Sequence, residues 1–147
     1  MLREKIATDM RDAMKAREQL RVATLRMLMA AVKNTEVEKL HELSDDEVLE
    51  VVVREAKRRR ESIDAFKQGG RDDLVQKEGD ELAVLEAYLP ERLSDEELAK
   101  LVDEAIAETG ASTPKQMGGV MKALMPKVRG RADGAEVSAL VKGKLGA

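Results

Sequence analysis

Two arginines and two glycines fall within the six-residue stretch R-G-R-A-D-G, from Arg129 to Gly134. These residue types could bind phosphate, because guanidinium groups donate paired hydrogen bonds and the N–H groups at a helix start attract anions. Gly130, Asp133 and Gly134 also fit a simple turn followed by a helix N-cap. Asp133 opposes anion binding, since its carboxylate occupies the same helix end. For Arg129 and Arg131, phosphate contact and a role in shaping the turn are both open.

The surroundings of this stretch enlarge the set of candidate residues. Residues 111–147 contain seven basic and two acidic residues, a net charge of +5, in a chain whose formal net charge is −3. The candidate nucleic-acid contacts are Lys115, Lys122, Lys127, Arg129, Arg131 and Lys142. Gly118 and Gly119 stand inside a predicted helix, where each costs about 1 kcal/mol relative to alanine. Either a neighbouring helix packs against them or a ligand backbone approaches closely, and Gly130 and Gly134 are further candidates for close approach.

The sequence offers no conventional catalytic constellation. His41 is the only histidine and cysteine is absent, so neither a histidine-based triad nor a thiolate metal site can be assembled. Ser44 and Ser94 are explained as helix caps, and no G-x-x-x-x-G-K-[ST] loop is present. The sequence therefore predicts no catalytic residue, no metal ligand and no cofactor.

Aromatic side chains are nearly absent, since Phe66 and Tyr88 are the only two. Modules that bind single-stranded nucleic acid usually stack bases on several rings. This chain cannot build such a platform, so any RNA recognition is expected to use phosphates and the shape of a folded RNA.

The elements that must position these residues are helices, because apolar residues recur with a period near 3.6 and no segment alternates as a strand does. Ser44 with Glu47, and Ser94 with Glu97, form capping boxes at two helix starts. The predicted helices cover about residues 2–14, 20–40, 44–68, 71–88, 94–110, 113–125 and 133–145, the sixth ending at Leu124 or Met125 before Pro126. This pattern predicts an all-α fold, with an N-terminal four-helix bundle over residues 1–92 and a small three-helix domain over residues 93–147.

The densest basic segment, Lys57 to Arg60, lies in the third predicted helix. Four consecutive helical residues spread over about 300°, so they cannot form one stripe. Glu55 is placed to pair with Arg59 at i,i+4. A solvated, charge-paired face is favoured over a nucleic-acid patch.

The sequence also gives an expectation for the cellular compartment of the protein. No apolar segment is long enough to span a bilayer, and the N-terminus has acidic residues and no apolar core of a signal peptide. With no cysteine and no such targeting segment, the expectation is a cytoplasmic protein without membrane association.

Three long blocks of the chain resemble the YqeY family of small bacterial proteins. They are L-R-M-L-M-A-A-V-K-N-T-E-V-E-K from Leu25, G-G-R-D-D-L-V-Q-K-E-G-D-E-L-A-V-L-E-A-Y-L-P-E-R-L-S-D-E-E-L from Gly69, and M-G-G-V-M-K-A-L-M-P-K-V-R-G-R-A-D-G-A-E-V from Met117. The resemblance covers essentially the whole chain. It implies a two-domain helical fold whose C-terminal domain is similar to the tRNA-contacting tail of the GatB subunit of aspartyl/glutamyl-tRNA amidotransferase.

The resemblance further implies a role near translation, as a non-catalytic tRNA-binding or tRNA-associated accessory protein. A label of carbon–nitrogen ligase with glutamine as amido donor would describe the relatives, because the large catalytic cradle of GatB cannot fit in 147 residues. The alternative is an adaptor that docks on an amidotransferase, an aminoacyl-tRNA synthetase or another protein partner.

Overall fold

The computed structural model describes residues 1–146. Within that range it contains seven α-helices, one 3₁₀ turn and no β-strand, which confirms the all-α prediction. The helices are α1 Leu2–Lys15, α2 Gln19–Lys39, α3 Asp45–Gln68, α4 Asp72–Glu86, α5 Asp95–Thr109, α6 Met117–Val128 and α7 Gly134–Lys144, and the 3₁₀ turn is Pro114–Gln116. Two compact units divide the chain, an N-terminal unit Met1–Leu89 and a C-terminal unit from Pro90 onwards. No helix in the described range is both long and apolar enough to cross a membrane.

Both predicted capping boxes are formed. At the start of α3, the Ser44 N–H donates to Glu47 Oε1 at 3.1 Å and the Glu47 N–H donates to Ser44 Oγ at 3.3 Å. The Lys39 ammonium and the Ser44 N–H lower the pKa of Glu47 to about 2. Ser94 and Glu97 repeat the exchange at the start of α5, with distances of 3.4 and 3.1 Å. These side chains satisfy main-chain donors that a helix start otherwise leaves without partners.

The N-terminal unit surrounds a single aliphatic core. Helices α1 to α4 contribute to it, and α2 and α3 supply most of its fully buried side chains. The core residues are Ile6, Leu25, Leu28, Met29, Val32, Leu43, Val48, Val51, Val52, Ala56 and Leu85. Removal of this apolar surface from water is the main force that holds the four helices together.

A buried charge network ties α3 to α4. Arg59 Nη1 lies 3.1 Å from Glu55 Oε2, and Arg59 Nε lies 3.2 Å from Glu81 Oε2 and 3.8 Å from Glu78 Oε2. Arg59 and Glu55 are each 7% exposed. The Glu55–Arg59 pair predicted from its spacing is confirmed. The prediction that this face is solvated is wrong for Arg59, because α4 covers its side chain and brings the carboxylates of Glu78 and Glu81 to it.

One polar contact joins α1 to the segment after α4. Tyr88 Oη donates to Asp9 Oδ2 at 2.6 Å, and Lys5 Nζ lies 5.1 Å from the centre of the Tyr88 ring. Burial raises the pKa of the Tyr88 phenol above its usual value, and the neighbouring Asp9 carboxylate raises it further. The same hydrogen bond, together with Lys5, holds the pKa of Asp9 below its usual value. Tyr88 therefore fastens the end of α4 to the first helix.

The C-terminal unit has its own core, formed where α5, α6 and α7 pack on one another. Helix α6 continues through Pro126 to Val128, so the predicted end at Leu124 or Met125 is wrong. A proline removes one donor, here the one that would reach the Lys122 carbonyl. The ladder resumes at once, since the Arg129 N–H donates to the Met125 carbonyl at 2.9 Å. Val128 is 1% exposed, and its burial favours the extra turn.

Candidate nucleic-acid interface

Helix α6 carries Lys122 and Lys127 of the six predicted contact residues, with Lys115 just before it and Arg129 just after it. Its inner face sets the direction of its outer face. Val120, Leu124 and Val128 are almost completely buried, at 0%, 0% and 1% exposure. Three partly buried methionines, Met117, Met121 and Met125, pack against the same core. These methionines recur every four residues, a spacing that puts them on one side of the helix, and that side faces the core. Because this side of α6 points inward, the opposite side is presented to solvent.

The outer face of α6, with the turn that leads into it, consists of Lys115, Gly118, Gly119, Lys122 and Pro126, all of them exposed. An ideal Cβ built on Gly118 or Gly119 would have no described neighbour within 4 Å. Packing of a neighbouring helix therefore does not explain the glycine pair. The two residues leave a strip of bare main chain on the surface, flanked by one lysine on each side.

The lysines of this face differ from those that point toward α5. Lys115 and Lys122 form no ion pair or hydrogen bond with any residue in the described range. Lys127 instead lies 3.5 Å from Glu108 on α5, and Lys144 lies 2.7 Å from Asp103 on the same helix. The acidic residues of α5 thus neutralise part of the positive charge and leave the outer face of α6 unpaired.

Lys142 is separate from that face, because it lies on the exposed side of α7. It too lacks an ion pair with any residue from 1 to 146. The fold therefore brings Lys115 and Lys122 together on one face and places Lys142 on another helix.

The turn between α6 and α7 holds both arginines of the R-G-R-A-D-G stretch. Arg129 ends α6 and is half-buried, and Gly130 is buried with a φ of +76°, a conformation that favours glycine. The Asp133 carboxylate accepts a hydrogen bond from the Ala135 N–H at 3.0 Å, so the predicted N-cap of α7 is confirmed. Gly134, the first residue of α7, is exposed with open space around it.

Arg131 fastens this turn to the segment that precedes α5. Its N–H donates to the Val128 carbonyl at 2.8 Å, and its own carbonyl accepts from the Leu93 N–H at 2.8 Å. Its side-chain Nε donates to the Glu91 carbonyl at 2.9 Å. No sequence signal pointed to these partners, because they lie 38 and 40 residues away along the chain. Arg131 has a structural contact that is independent of any ligand.

The architecture is that of a small helical protein with an acidic N-terminal unit and a basic surface on its C-terminal unit. The chain belongs to the YqeY-like protein family, whose model matches residues 3–145. The resemblance noted in the sequence is confirmed at the level of this family.

Several similar proteins carry the name "Altered inheritance of mitochondria protein 41, mitochondrial". The one from Eremothecium gossypii is 38% identical over 103 residues, which are 68% of this chain and 56% of that protein. The one from Kluyveromyces lactis is 36% identical, covering 54% of this chain and 44% of its own length. The one from Pyrenophora tritici-repentis is 27% identical over 97% of this chain and 80% of its length. The matches thus span about half the length of the first two relatives.

These relatives correct two expectations. They are proteins of fungi, so the description of the family as bacterial is wrong. Their names place them in mitochondria, which contradicts a simple cytoplasmic assignment. Composition could not reveal this, because the residue content of one chain carries no information about the compartment of its relatives.

Proposed function

We propose that this protein is a non-catalytic tRNA-binding accessory protein, and that the outer face of α6 is its RNA contact. The observation that carries the proposal is the pair of unpaired lysines, Lys115 and Lys122, on either side of the bare main chain of Gly118 and Gly119. Ammonium groups without a carboxylate partner are available to phosphates. Glycines without a neighbour allow an RNA backbone to come close to the helix.

Two further points support folded RNA as the ligand. The chain has one tyrosine, one phenylalanine and no tryptophan, so it lacks the rings on which single-stranded bases stack. The resemblance of the C-terminal unit to a tRNA-contacting amidotransferase tail favours tRNA among folded RNAs. Phosphate and shape recognition suits such a target.

Arg131 has a secondary place in this proposal. Its Nε is held by the Glu91 carbonyl, so only the rest of its guanidinium group can reach a phosphate. Lys127 is likewise partly neutralised by Glu108. Lys127, Arg129 and Arg131, at the end of α6 and in the turn after it, are proposed as peripheral contacts, and Lys142 on α7 as a separate one.

The test is tRNA binding by the double variant Lys115→Ala, Lys122→Ala. We expect its affinity to fall about tenfold or more, and the slope of log K against log salt to flatten by about two, because each lost phosphate contact removes roughly one. Filter binding between about 50 and 200 mM salt measures both quantities.

The matched control is Lys77→Ala, Lys100→Ala, which removes the same charge from exposed lysines outside the outer face of α6. It should bind tRNA almost as the parent protein does. Equal losses in the two double variants would mean that net charge, and not this face, drives binding. Absence of any salt-dependent tRNA binding by the parent protein would reject the function itself.

A further inference from the structure

A second surface, on the N-terminal unit, has features that RNA binding by the C-terminal unit does not explain. Where α1 turns into α2, an open depression of about 450 Å³ lies on the surface. It is lined by Met14, Arg17, Gln19, Val22, Ala23 and Arg26. The four residues from α2 have the spacing of one helix face, so the depression runs along α2 and is closed at one side by the end of α1.

The turn that forms one wall of this depression is strained. The Glu18 N–H donates to the Ala13 carbonyl at 3.0 Å and the Arg17 N–H donates to the Met14 carbonyl at 3.2 Å, the pattern of a Schellman motif. This motif places a residue in the left-handed region, which favours glycine. Arg17 occupies it, with a φ of +59°. A long cationic side chain is thus kept at the rim of the depression in a conformation that arginine disfavours.

Three of the six residues that line the depression are apolar, namely Met14, Val22 and Ala23. Met14 is 51% exposed, Val22 is half-buried and Ala23 is exposed. The opposite side of α2 is buried in the core through Leu25 and Leu28. The uncovered side of α2 is thus mixed, with Val22 and Ala23 between the polar Gln19 and Arg26. An unbranched methionine adapts its shape readily, which suits a surface that receives a partner side chain.

The rim of the depression is positively charged. The guanidinium groups of Arg17 and Arg26 have no ion pair or hydrogen bond with a residue in the described range. The nearest acid along the chain, Glu18, lies 3.7 Å from Arg21 and is paired with it. Two unpaired cations therefore lie beside a small apolar patch along a helix.

We propose that this depression docks an amphipathic helix of a partner protein, one whose apolar side chains are flanked by aspartate or glutamate. Met14, Val22 and Ala23 accept the hydrophobic anchors of such a helix, and Arg17 and Arg26 pair with its carboxylates. RNA fits less well, because phosphates would use the arginines and leave Met14 and Val22 without a role. The docking site is separate from the proposed tRNA contact on α6 and does not depend on it.

The probe is a fluorescein-labelled synthetic peptide of about 15 residues, with leucines along one helical face and glutamates beside them. The control peptide has the same composition in scrambled order. Fluorescence anisotropy with the full chain should show saturable binding of the amphipathic peptide, with the scrambled peptide at least about tenfold weaker. Equal binding of both peptides, or of neither, would overturn the proposal.

Two variants locate the binding. Arg17→Glu, Arg26→Glu should weaken the peptide affinity at least about tenfold, because attraction at the rim becomes repulsion. The matched control Lys67→Glu, Lys77→Glu makes the same charge change on exposed lysines of the same unit and should leave the affinity nearly unchanged. An unchanged affinity in the first variant would reject the site.

A third variant guards against a trivial loss of folding. Arg17→Gly removes the cation and also relieves the left-handed backbone, so its melting temperature should rise while its peptide affinity falls. Weaker binding by a more stable protein cannot come from misfolding. If Arg17→Gly binds the peptide as the parent does, Arg17 is not a contact and the proposal fails.

Other occupants of the surface give distinct results. Self-association in sedimentation that the Arg17→Glu, Arg26→Glu change abolishes would assign the surface to a second copy of the chain. A loss of tRNA affinity in that variant, with the outer face of α6 intact, would assign it to RNA. Either result would overturn the acidic helix as the partner.

Discussion

Two basic regions of this protein, one on α3 and one at α6, differ in the acidic residues that surround them. Arg58, Arg59 and Arg60 on α3 each lie within 3.3 Å of a glutamate, on α3 itself or on α4. Lys115, just before α6, and Lys122, within α6, have no such partner among the described residues. The denser segment is thus neutralised, and the sparser one is left to solvent. Whether a basic run is available to a ligand depends on the carboxylates that neighbouring helices bring to it.

The two units also differ in the position of their polar contacts and in the contribution of these contacts to stability. In the N-terminal unit, polar contacts such as Arg59 with Glu81 and Tyr88 with Asp9 join separate helices. In the C-terminal unit, the pairs Lys127–Glu108 and Lys144–Asp103 lie at the exposed edges of α5 and contribute little to stability. We therefore expect removal of an inter-helix charge to destabilise the first unit, and removal of the free lysines to leave the second unit folded but weaker in tRNA binding.

The largest expected effect comes from Arg59→Met. This change removes the buried cation that Glu55, Glu78 and Glu81 share and leaves Glu55 only the exposed Arg58 as a partner. The uncompensated carboxylates should lower the free energy of unfolding by about 3–5 kcal/mol. Urea denaturation measures it. The control Arg58→Met removes another partner of Glu55, but the Arg58 side chain is 65% exposed, so the loss should stay below about 1 kcal/mol.

A further change separates the charge effect from lost packing. Adding Glu55→Gln and Glu81→Gln to Arg59→Met removes the uncompensated carboxylates and should recover much of the lost stability. If the triple variant is no more stable than Arg59→Met alone, the network is not what holds α3 to α4.

The next effect in size concerns the contact between Tyr88 and Asp9. Tyr88→Phe removes a hydrogen bond to a carboxylate and should cost about 1–2 kcal/mol in urea denaturation. Tyr88 is the only tyrosine, so the ultraviolet absorbance of phenolate reports its ionisation alone. Its raised pKa means that the folded protein retains the proton when the unfolded chain loses it. The stability from this group is complete below the ordinary pKa of 10.0 and declines as the pH rises above it.

The variant Asp9→Asn checks the cause of that shift. It removes the negative charge next to the phenol, so the ionisation of Tyr88 should move to lower pH while burial still keeps it above the ordinary value. An unchanged titration would show that Asp9 does not influence Tyr88.

The smallest expected effect on stability is that of Gly118→Ala, which tests directly whether the outer face of α6 contacts RNA. A methyl group at this position has open space, so the helix should gain up to about 0.5–1 kcal/mol in thermal or urea denaturation. If RNA approaches the main chain here, the same methyl group should weaken tRNA binding. Gly143→Ala on α7 also has open space around its Cβ and serves as the control, with a gain in stability and no loss of affinity.

The sequence predicts the helices well because their starts and ends are local. Ser44, Ser94 and Asp133 each cap a helix through an atom within three residues, and that geometry can be inferred from spacing alone. Pro126 misleads, since a proline usually ends or kinks a helix, whereas α6 continues past it to the buried Val128.

Long-range contacts account for what the sequence does not predict. Arg59 is covered because α4 folds back along α3, and Arg131 bonds to a segment 40 residues earlier. The depression at the α1–α2 turn is also not predicted. A glycine would indicate a left-handed turn at this position, but the residue there is Arg17. Of the predicted contact residues, Lys115 and Lys122 lie on the outer face of α6, and whether they bind RNA stays a prediction.

The contacts of Arg131 also determine where a fragment that contains the C-terminal unit should begin. Its side chain and carbonyl hold residues 91–93, which lie outside every helix. A fragment that starts at Ser94 keeps all three helices and loses both bonds, whereas one that starts at Pro90 retains them. A fusion junction that preserves the C-terminal unit should therefore be placed before Glu91, several residues ahead of α5.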